Sequence, residues 1–249
     1  MTTVAIMQPT FLPWVGYFGL IDRVDTFVLL DDVQFSKQSW QSRNRLKGAN
    51  GEVLISLPIS KSADSGPLIS STRIVRGAFE RKLINTIRAC LGRAPYFDEV
   101  LGLMERVLES PLETVGQFNE LIIKEVNSLV GIETTVTRSS DLNVPPDSKT
   151  ERLHKLCTRL GASTYLSPPG SFDYLDQSNT FRAGGVELRY FNYLHPEYAQ
   201  LFPPFTGYMS GIDALANVGR RAFLPLIRSG CGADQTADDF REMRNETTV

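Results

Sequence analysis

Residues 1–32 constrain the fold more than any other stretch of this chain. Residues 4–7 are a short apolar run that stops at Gln8-Pro9, the pattern of a buried strand giving way to a loop. Pro13 then precedes Trp14, Tyr17, Phe18, Leu20 and Ile21, a spacing that predicts a helix with proline in its first turn. Residues 26–30 form a second apolar run, closed by Asp31-Asp32. Strand, loop, helix, strand is the seed of a Rossmann-like α/β fold with a mostly parallel sheet flanked by helices. In such folds ligands bind beyond the carboxyl ends of the strands. Gln8, Asp31 and Asp32 fall at that edge.

The rest of the chain extends this pattern. Residues 34–47 are polar and aromatic, and residues 53–57 predict a strand closed by Pro58. Residues 61–71, rich in Ser and Gly, predict a mobile loop, and residues 72–75 a short strand. Helical spacing over 79–91, 97–108 and 112–130, the last stopped by Gly131, predicts a helical middle that serves as scaffold. Further strands are expected at 134–137, 164–166 and 186–191, with a helix over 150–160 and a stiff Ser167-Pro168-Pro169-Gly170 loop. We therefore expect a single α/β domain over 1–232, in three parts: α/β over 1–75, helical over 76–131 and α/β over 132–232. A polar tail over 233–249 is expected to be loosely held.

At 249 residues, 42% hydrophobic and 22% charged, the composition is that of an ordinary globular protein. A net charge of −2 disfavours general nucleic-acid binding, which needs a basic surface to neutralise phosphates. Apolar runs fall well short of the roughly 20 residues that span a bilayer, and the N-terminus lacks the basic and apolar regions of a signal peptide. The expectation is a cytoplasmic protein without membrane contact. Cys90, Cys157 and Cys231 are widely spaced, with no CxxC pair. The first two are expected to pack inside helices and the third to be a loop residue, so no metal site is predicted. Neither a Walker A motif nor a Rossmann glycine fingerprint occurs, so no cofactor is expected.

Three groups of residues are candidates for chemistry. His195, one of two histidines, lies in a polar knot with Tyr193, Tyr198 and Gln200 and reads either as a general acid or base or as a loop residue satisfied by backbone. Asp213 lies on a helix whose N-cap is Ser210. It reads either as a partner that orients His195 or as half of a capping box, and a capped helix start can also face an anion. The second group is Gln8, Asp31 and Asp32, which suit strand-end turns or recognition of an amine or hydroxyl. Adjacent strand residues point to opposite faces, so one aspartate at most is expected in the site. The third group is Trp40, Arg43, Asn44 and Arg45, either a solvated basic loop or an anion-binding fork. Lys47 adds to its charge, and Arg220-Arg221 form a separate basic pair.

The ordered motifs carry a resemblance to a known family. They are Gln8-Pro9-Thr-Phe11-Leu12-Pro13-Trp14-Val-Gly16-Tyr17-Phe18, then Asp31-Asp32-Val33-Gln34-Phe35, then Trp40-Gln-Ser-Arg43-Asn44-Arg45. The last runs from His195-Pro196-x-Tyr198-x-Gln200 through Phe205, Ser210 and Asp213 to Gly219. Across its length the chain resembles the WbqC-like proteins. The resemblance implies a biosynthetic role in O-antigen and other polysaccharide clusters, or in specialised-metabolite (antibiotic) clusters. It implies a small amine-bearing substrate, free or tethered to a carrier protein, and leaves homo- or hetero-oligomers open. Carried onto this chain, it marks Gln8, Asp31, Arg43, His195, Tyr198 and Asp213 as site candidates. One departure is Pro168-Pro169, where the family pattern leads us to expect Ser-Gly before the Tyr-Leu pair, so ligand contacts of that loop are expected to differ.

The leading expectation is an enzyme that forms a C–N bond on an amino acid or amino sugar. His195, with Asp213 or Asp31, would handle the proton, and Arg43 or Arg45 would stabilise a departing anion. Trp14, Tyr17, Asp32, Trp40, Asn44, Tyr198, Gln200 and Ser210 are expected to bind substrate. Acyl transfer and intramolecular ring closure, as in an aziridine, both remain open. One alternative is a non-catalytic subunit of a biosynthetic complex, its aromatic loop serving as an interface. Another is nucleotidyl transfer, because the opening also resembles that fold's layout, although its two histidines near the helix start are missing.

Overall fold

The computed structural model describes residues 1–61 and 66–247, the side chains of 243–247 excepted. The predicted opening forms as β1 (Thr3–Met7), α1 (Val15–Asp22) and β2 (Thr26–Leu29). Next come the hairpin β3 (Arg43–Gly48) and β4 (Gly51–Ser56), then α2 (Ala78–Leu91), α3 (Phe97–Glu109) and α4 (Val115–Val130). The second α/β half holds β5 (Thr135–Arg138), α5 (Lys149–Arg159), β6 (Thr164–Ser167), α6 (Phe172–Asp176), α7 (Thr180–Ala183) and β7 (Glu187–Tyr190). Helices α8 (Gly211–Ser229) and α9 (Ala237–Thr247) follow.

Five parallel strands lie in the order β5-β2-β1-β6-β7. The protein is thus an α/β, Rossmann-like fold. Alternation along the strands explains its layers. Ala5, Phe27 and Leu29 point into a large core shared with α1, α2, α3, α4 and α8. Val4, Ile6 and Val28 point the other way, onto Leu153, Leu156 and Cys157 of α5 and Phe172 of α6.

The chain leaves β1 in one direction to reach β2 and β5, and later returns on its other side for β6 and β7. The sheet order therefore reverses between β1 and β6, which leaves a crevice beyond their carboxyl ends.

Four local expectations change. Residues 43–48, part of the polar aromatic stretch, form β3, because every residue from Arg43 to Gly48 pairs antiparallel with β4. Residues 72–75 make only isolated bridges, Arg73 to Thr114 and Ile74 to Ile59, rather than a strand. Of the loop expected to be mobile, residues 62–65 lie outside the described residues. Its remainder is pinned where Phe35 N donates to Pro67 O (2.8 Å) and Ile69 N donates to Val33 O (3.0 Å). The polar tail docks as well: Gln235 bridges to Tyr190, and Phe240 packs its ring on Phe172 and Tyr190 at 4.7 and 5.2 Å. Gly131 ends α4 in the left-handed conformation (φ 83°), which glycine adopts without a Cβ clash.

Candidate functional site

The crevice holds two adjoining cavities. The larger, about 550 Å³, sits over the ends of β1 and β6 and is lined by Gln8, Trp40, Lys149, Arg152, Ser171 and Tyr174, among others. The smaller, about 260 Å³, is walled by Trp14, Tyr17, Trp40, Arg45 and Tyr208. Met7, Thr10 and Trp40 line both, so the two share a wall at the end of β1.

Arg152 and Lys149 come from the first turns of α5. In an α/β unit a helix start lies at the same edge as the strand ends, so the α5 N-terminus and its two cations face the crevice together. Asp32 holds the Arg152 guanidinium through Nη2, while Arg152 Nε is buried without a partner. The Lys149 ammonium lies 3.5 Å from the Tyr174 ring centroid, and burial lowers its proton affinity. Asp147, also at the rim, is held by Lys155, which keeps its carboxyl below the usual range. In the loop after β6, Ser167 and Ser171 join their hydroxyls, and Ser171 Oγ donates to Pro168 O (2.7 Å). Pro168, Gly170 and Ser171 thereby form one fixed wall.

Much of the N-terminal motif builds the loop that shapes these cavities. Asn44 Nδ2 donates to Phe11 O (2.9 Å) and Leu12 O (2.7 Å). Ser210 Oγ donates to Leu12 O (2.8 Å), and Asn119 Nδ2 donates to Pro9 O (3.0 Å) and Gln41 O (2.8 Å). These bonds hold Leu12 at φ 45°, a conformation that is costly for a residue bearing a Cβ. Tyr17 Oη donates to Gln8 O (3.1 Å), and the Gln8 side chain accepts from Gln41 Nε2 (2.7 Å). The Trp14 indole folds over Gly16, where an added Cβ would lie 2.2 Å from the ring.

Asp31 and Asp32 both reach Ser139, contrary to the expected divergence. Asp31 is buried, and its carboxylate accepts Ser139 Oγ (3.2 Å), Ser140 N (3.1 Å) and Ser140 Oγ (2.8 Å). It fixes the turn after β5. Asp32 also accepts from Ser139, beside its bond to Arg152.

His195 and Asp213 belong to a separate network. Asp213, 1% exposed, accepts from Tyr198 Oη (2.9 Å), Lys47 N (3.1 Å) and Gln200 Nε2 (3.3 Å). Burial raises its carboxyl proton affinity against the pull of these donors. Neither capping-box bond forms, because Asp213 and Ser210 spend their side chains on Lys47 and Leu12. His195 bonds through Nδ1 to Pro196 O (2.8 Å), and Asp213 is not its partner. That bond makes Nδ1 the protonated nitrogen. Nε2 is buried and unpartnered, and desolvation lowers the ring's proton affinity, so the imidazole is neutral near pH 7. His195 stacks on Trp14 (5.7 Å, 18°) and meets Tyr208 edge-on (5.1 Å). These two rings stand between it and the smaller cavity.

Lys47 Nζ grips the same region by donating to Pro204 O and to Thr206 Oγ1 (2.7 Å). Arg43 donates to Gln38 O and does not line either cavity. Arg45 lies over Trp40 (5.2 Å) and pairs with Glu52 (2.8 Å), its Nε buried without a partner. Cys90 and Cys157 are buried as expected, and burial pushes the Cys157 thiol up to about 12. Among the described residues, no cluster of three His, Cys, Asp or Glu side chains is arranged to hold a metal ion, and no helix is long and apolar enough to cross a membrane.

Lys149, Arg152, Tyr174 and Tyr208 escaped sequence reasoning. For the first two a signal existed: the Asn143-Val-Pro-Pro turn leads into a helix, and helix starts share the edge of the strand ends. Tyr208 has no comparable signature.

Fold and geometry together define an α/β protein with a crevice at the reversal of its sheet. The chain belongs to the WbqC-like protein family, whose model matches residues 8–224. It is similar to an uncharacterized protein of Mycobacterium tuberculosis, 31% identical over 224 residues, covering 89% of this chain and 96% of that one. No solved structure matches.

Proposed function

We propose that the chain is a biosynthetic enzyme that forms a C–N bond on a small amine-bearing amino acid or amino sugar. The amine displaces an anionic group within the joined crevice. The observation that carries this reading is the meeting of two unlike cavities at Met7, Thr10 and Trp40, one cationic and one aromatic. Arg152, Lys149 and the α5 N-terminus would receive the anion as charge develops on it. Burial in the smaller cavity and the positive charge of Arg45 disfavour an ammonium ion, so an amine bound there is biased toward its neutral, nucleophilic form. The nitrogen lone pair then bonds to carbon as the carbon–oxygen bond breaks, and the oxygen leaves with the electron pair. The new ammonium gives its proton to solvent. Most of the acceleration would come from orientation. In this reading His195 is a positioning residue that backs Trp14 and Tyr208, and Asp213 supports the loop behind it.

Direct assay of anion release tests the proposal. The protein is incubated with O-phosphorylated and O-sulfated amino acids and amino-sugar phosphates, and free anion and product mass are followed together. Stoichiometric release with matching mass loss, abolished in Arg152→Met, is expected. Binding without release across the panel would favour the non-catalytic alternative.

A nucleotide-using enzyme is a second reading. The reversal of sheet order next to a cationic helix start is where nucleotides sit in other open α/β folds. Stabilisation by a nucleoside triphosphate with magnesium, exceeding that by inorganic phosphate, would favour it.

A further inference from the structure

Two arginines, one in each cavity of the crevice, are built alike. Arg152, in the larger cavity, is tethered by Asp32 through one terminal nitrogen and keeps a buried Nε with no acceptor. Arg45, in the smaller cavity, is tethered by Glu52 through Nη1 and likewise keeps a buried Nε with no acceptor. The two residues thus each line one of the adjoining cavities with a guanidinium engaged at a single terminal nitrogen, which leaves donors beyond the tether for an acceptor that enters. A guanidinium presents its nitrogens in a planar fork that matches carboxylate, phosphate or sulfate. Each tethering carboxylate fixes the fork while engaging one terminal nitrogen. Trp40 stiffens Arg45 further through its ring.

We infer that the crevice recognises a substrate with two acidic groups, a phosphate or sulfate at Arg152 and Lys149 and a carboxylate at Arg45. This rests on the proposed function and deepens it by naming the substrate as an amino acid that carries its own anionic leaving group. The shared wall of Met7, Thr10 and Trp40 lies between the two poles. The reacting carbon and its amine therefore sit beside the end of β1. Asp32 and Asp147 are each matched by a cation, Arg152 and Lys155, so Lys149 leaves the larger cavity net positive.

Calorimetric titration of the full chain provides the test, with O-phospho-L-serine, its homologue one carbon longer, L-serine and inorganic phosphate as probes. In the wild type at least one phosphorylated amino acid is expected to bind more tightly than phosphate or serine alone. Arg152→Met is expected to weaken it about tenfold or more and to weaken inorganic phosphate alongside. Arg45→Met should weaken the phosphorylated amino acid and serine comparably while leaving inorganic phosphate unchanged. That selective pattern would not arise from a purely structural role, and Arg45→Gln with a melting curve guards against misfolding. If both Arg45 variants fold and bind the phosphorylated amino acids like wild type, the second pole is refuted and the proposed function stands. If the wild type binds neither phosphorylated amino acid nor phosphate, the two-pole inference and the proposed function both fall.

Discussion

The sheet-edge crevice and the His195–Asp213 network are neighbours with opposite logic. In the network, polar groups are largely spent on one another, His195 Nε2 excepted: Asp213 takes bonds from Tyr198, Gln200 and Lys47, and Lys47 takes Pro204 and Thr206. In the crevice, polar groups are held by one tether and left with capacity, as with Arg45 and Arg152. A buried, satisfied network specifies one conformation. An under-satisfied wall keeps donors that an acceptor could still use. The residues that look most chemical in the sequence fall mainly in the first region.

Substitutions can break or sharpen this contrast. The largest effect is expected from Asp213→Ala, which strands Tyr198 Oη and Lys47 N in a buried setting and removes the carboxylate beside the Lys47 charge. We expect a loss of about 3 kcal/mol and a fall in Tm of roughly 6–12 °C by scanning calorimetry. An unchanged Tm with abolished ligand binding would move Asp213 into the site and end the contrast. Next is Asn44→Ala, which frees the Phe11 and Leu12 carbonyls. About 2 kcal/mol of stability should disappear in urea titration.

A smaller effect follows from His195. Desolvation lowers its proton affinity from the ordinary 6.5, so the unfolded chain takes up the proton first as pH falls. Stability should therefore decline below about pH 6.5 by a slope of at most about one proton, levelling at the lowered folded value. His195→Phe keeps a ring against Trp14 and should flatten that slope when melting is followed from pH 8 to pH 5. An identical slope in the variant would assign the dependence elsewhere. The smallest stability effect is expected from Arg45→Met. Its pair with Glu52 is partly exposed and worth less than about 1 kcal/mol, so melting should barely move while binding of a carboxylate probe weakens.

Much of the fold was legible because its signals are local. Apolar runs ending at Gln8 and Asp31, and helical spacing closed by Gly131 and Gly161, require no knowledge of distant contacts. The β3 strand was hidden because Arg43, Arg45 and Lys47 share one face and read as a charged loop; only pairing with β4 makes them a strand. The site was legible as a location, the edge after β1, but less so in its membership. Asp31, Asn44 and Ser210 carry the right chemistry for binding, yet each is used to hold backbone. Which carbonyl or turn they hold is decided by residues about 30 to 200 positions away, and no spacing rule reports that. Arg152 offered the reverse case, an ordinary helix residue whose importance comes from where its helix begins.

The folded-back indole at Gly16 has one more consequence. The chain has two tryptophans, and both wall the smaller cavity. Trp14 is shielded by its ring neighbours, while Trp40 is 51% exposed. Tryptophan fluorescence therefore originates at this cavity, with a blue-edge component from one indole and a red-edge component from the other. A molecule entering there alters the emission directly, so unlabelled protein can serve as its own optical sensor for screening ligands.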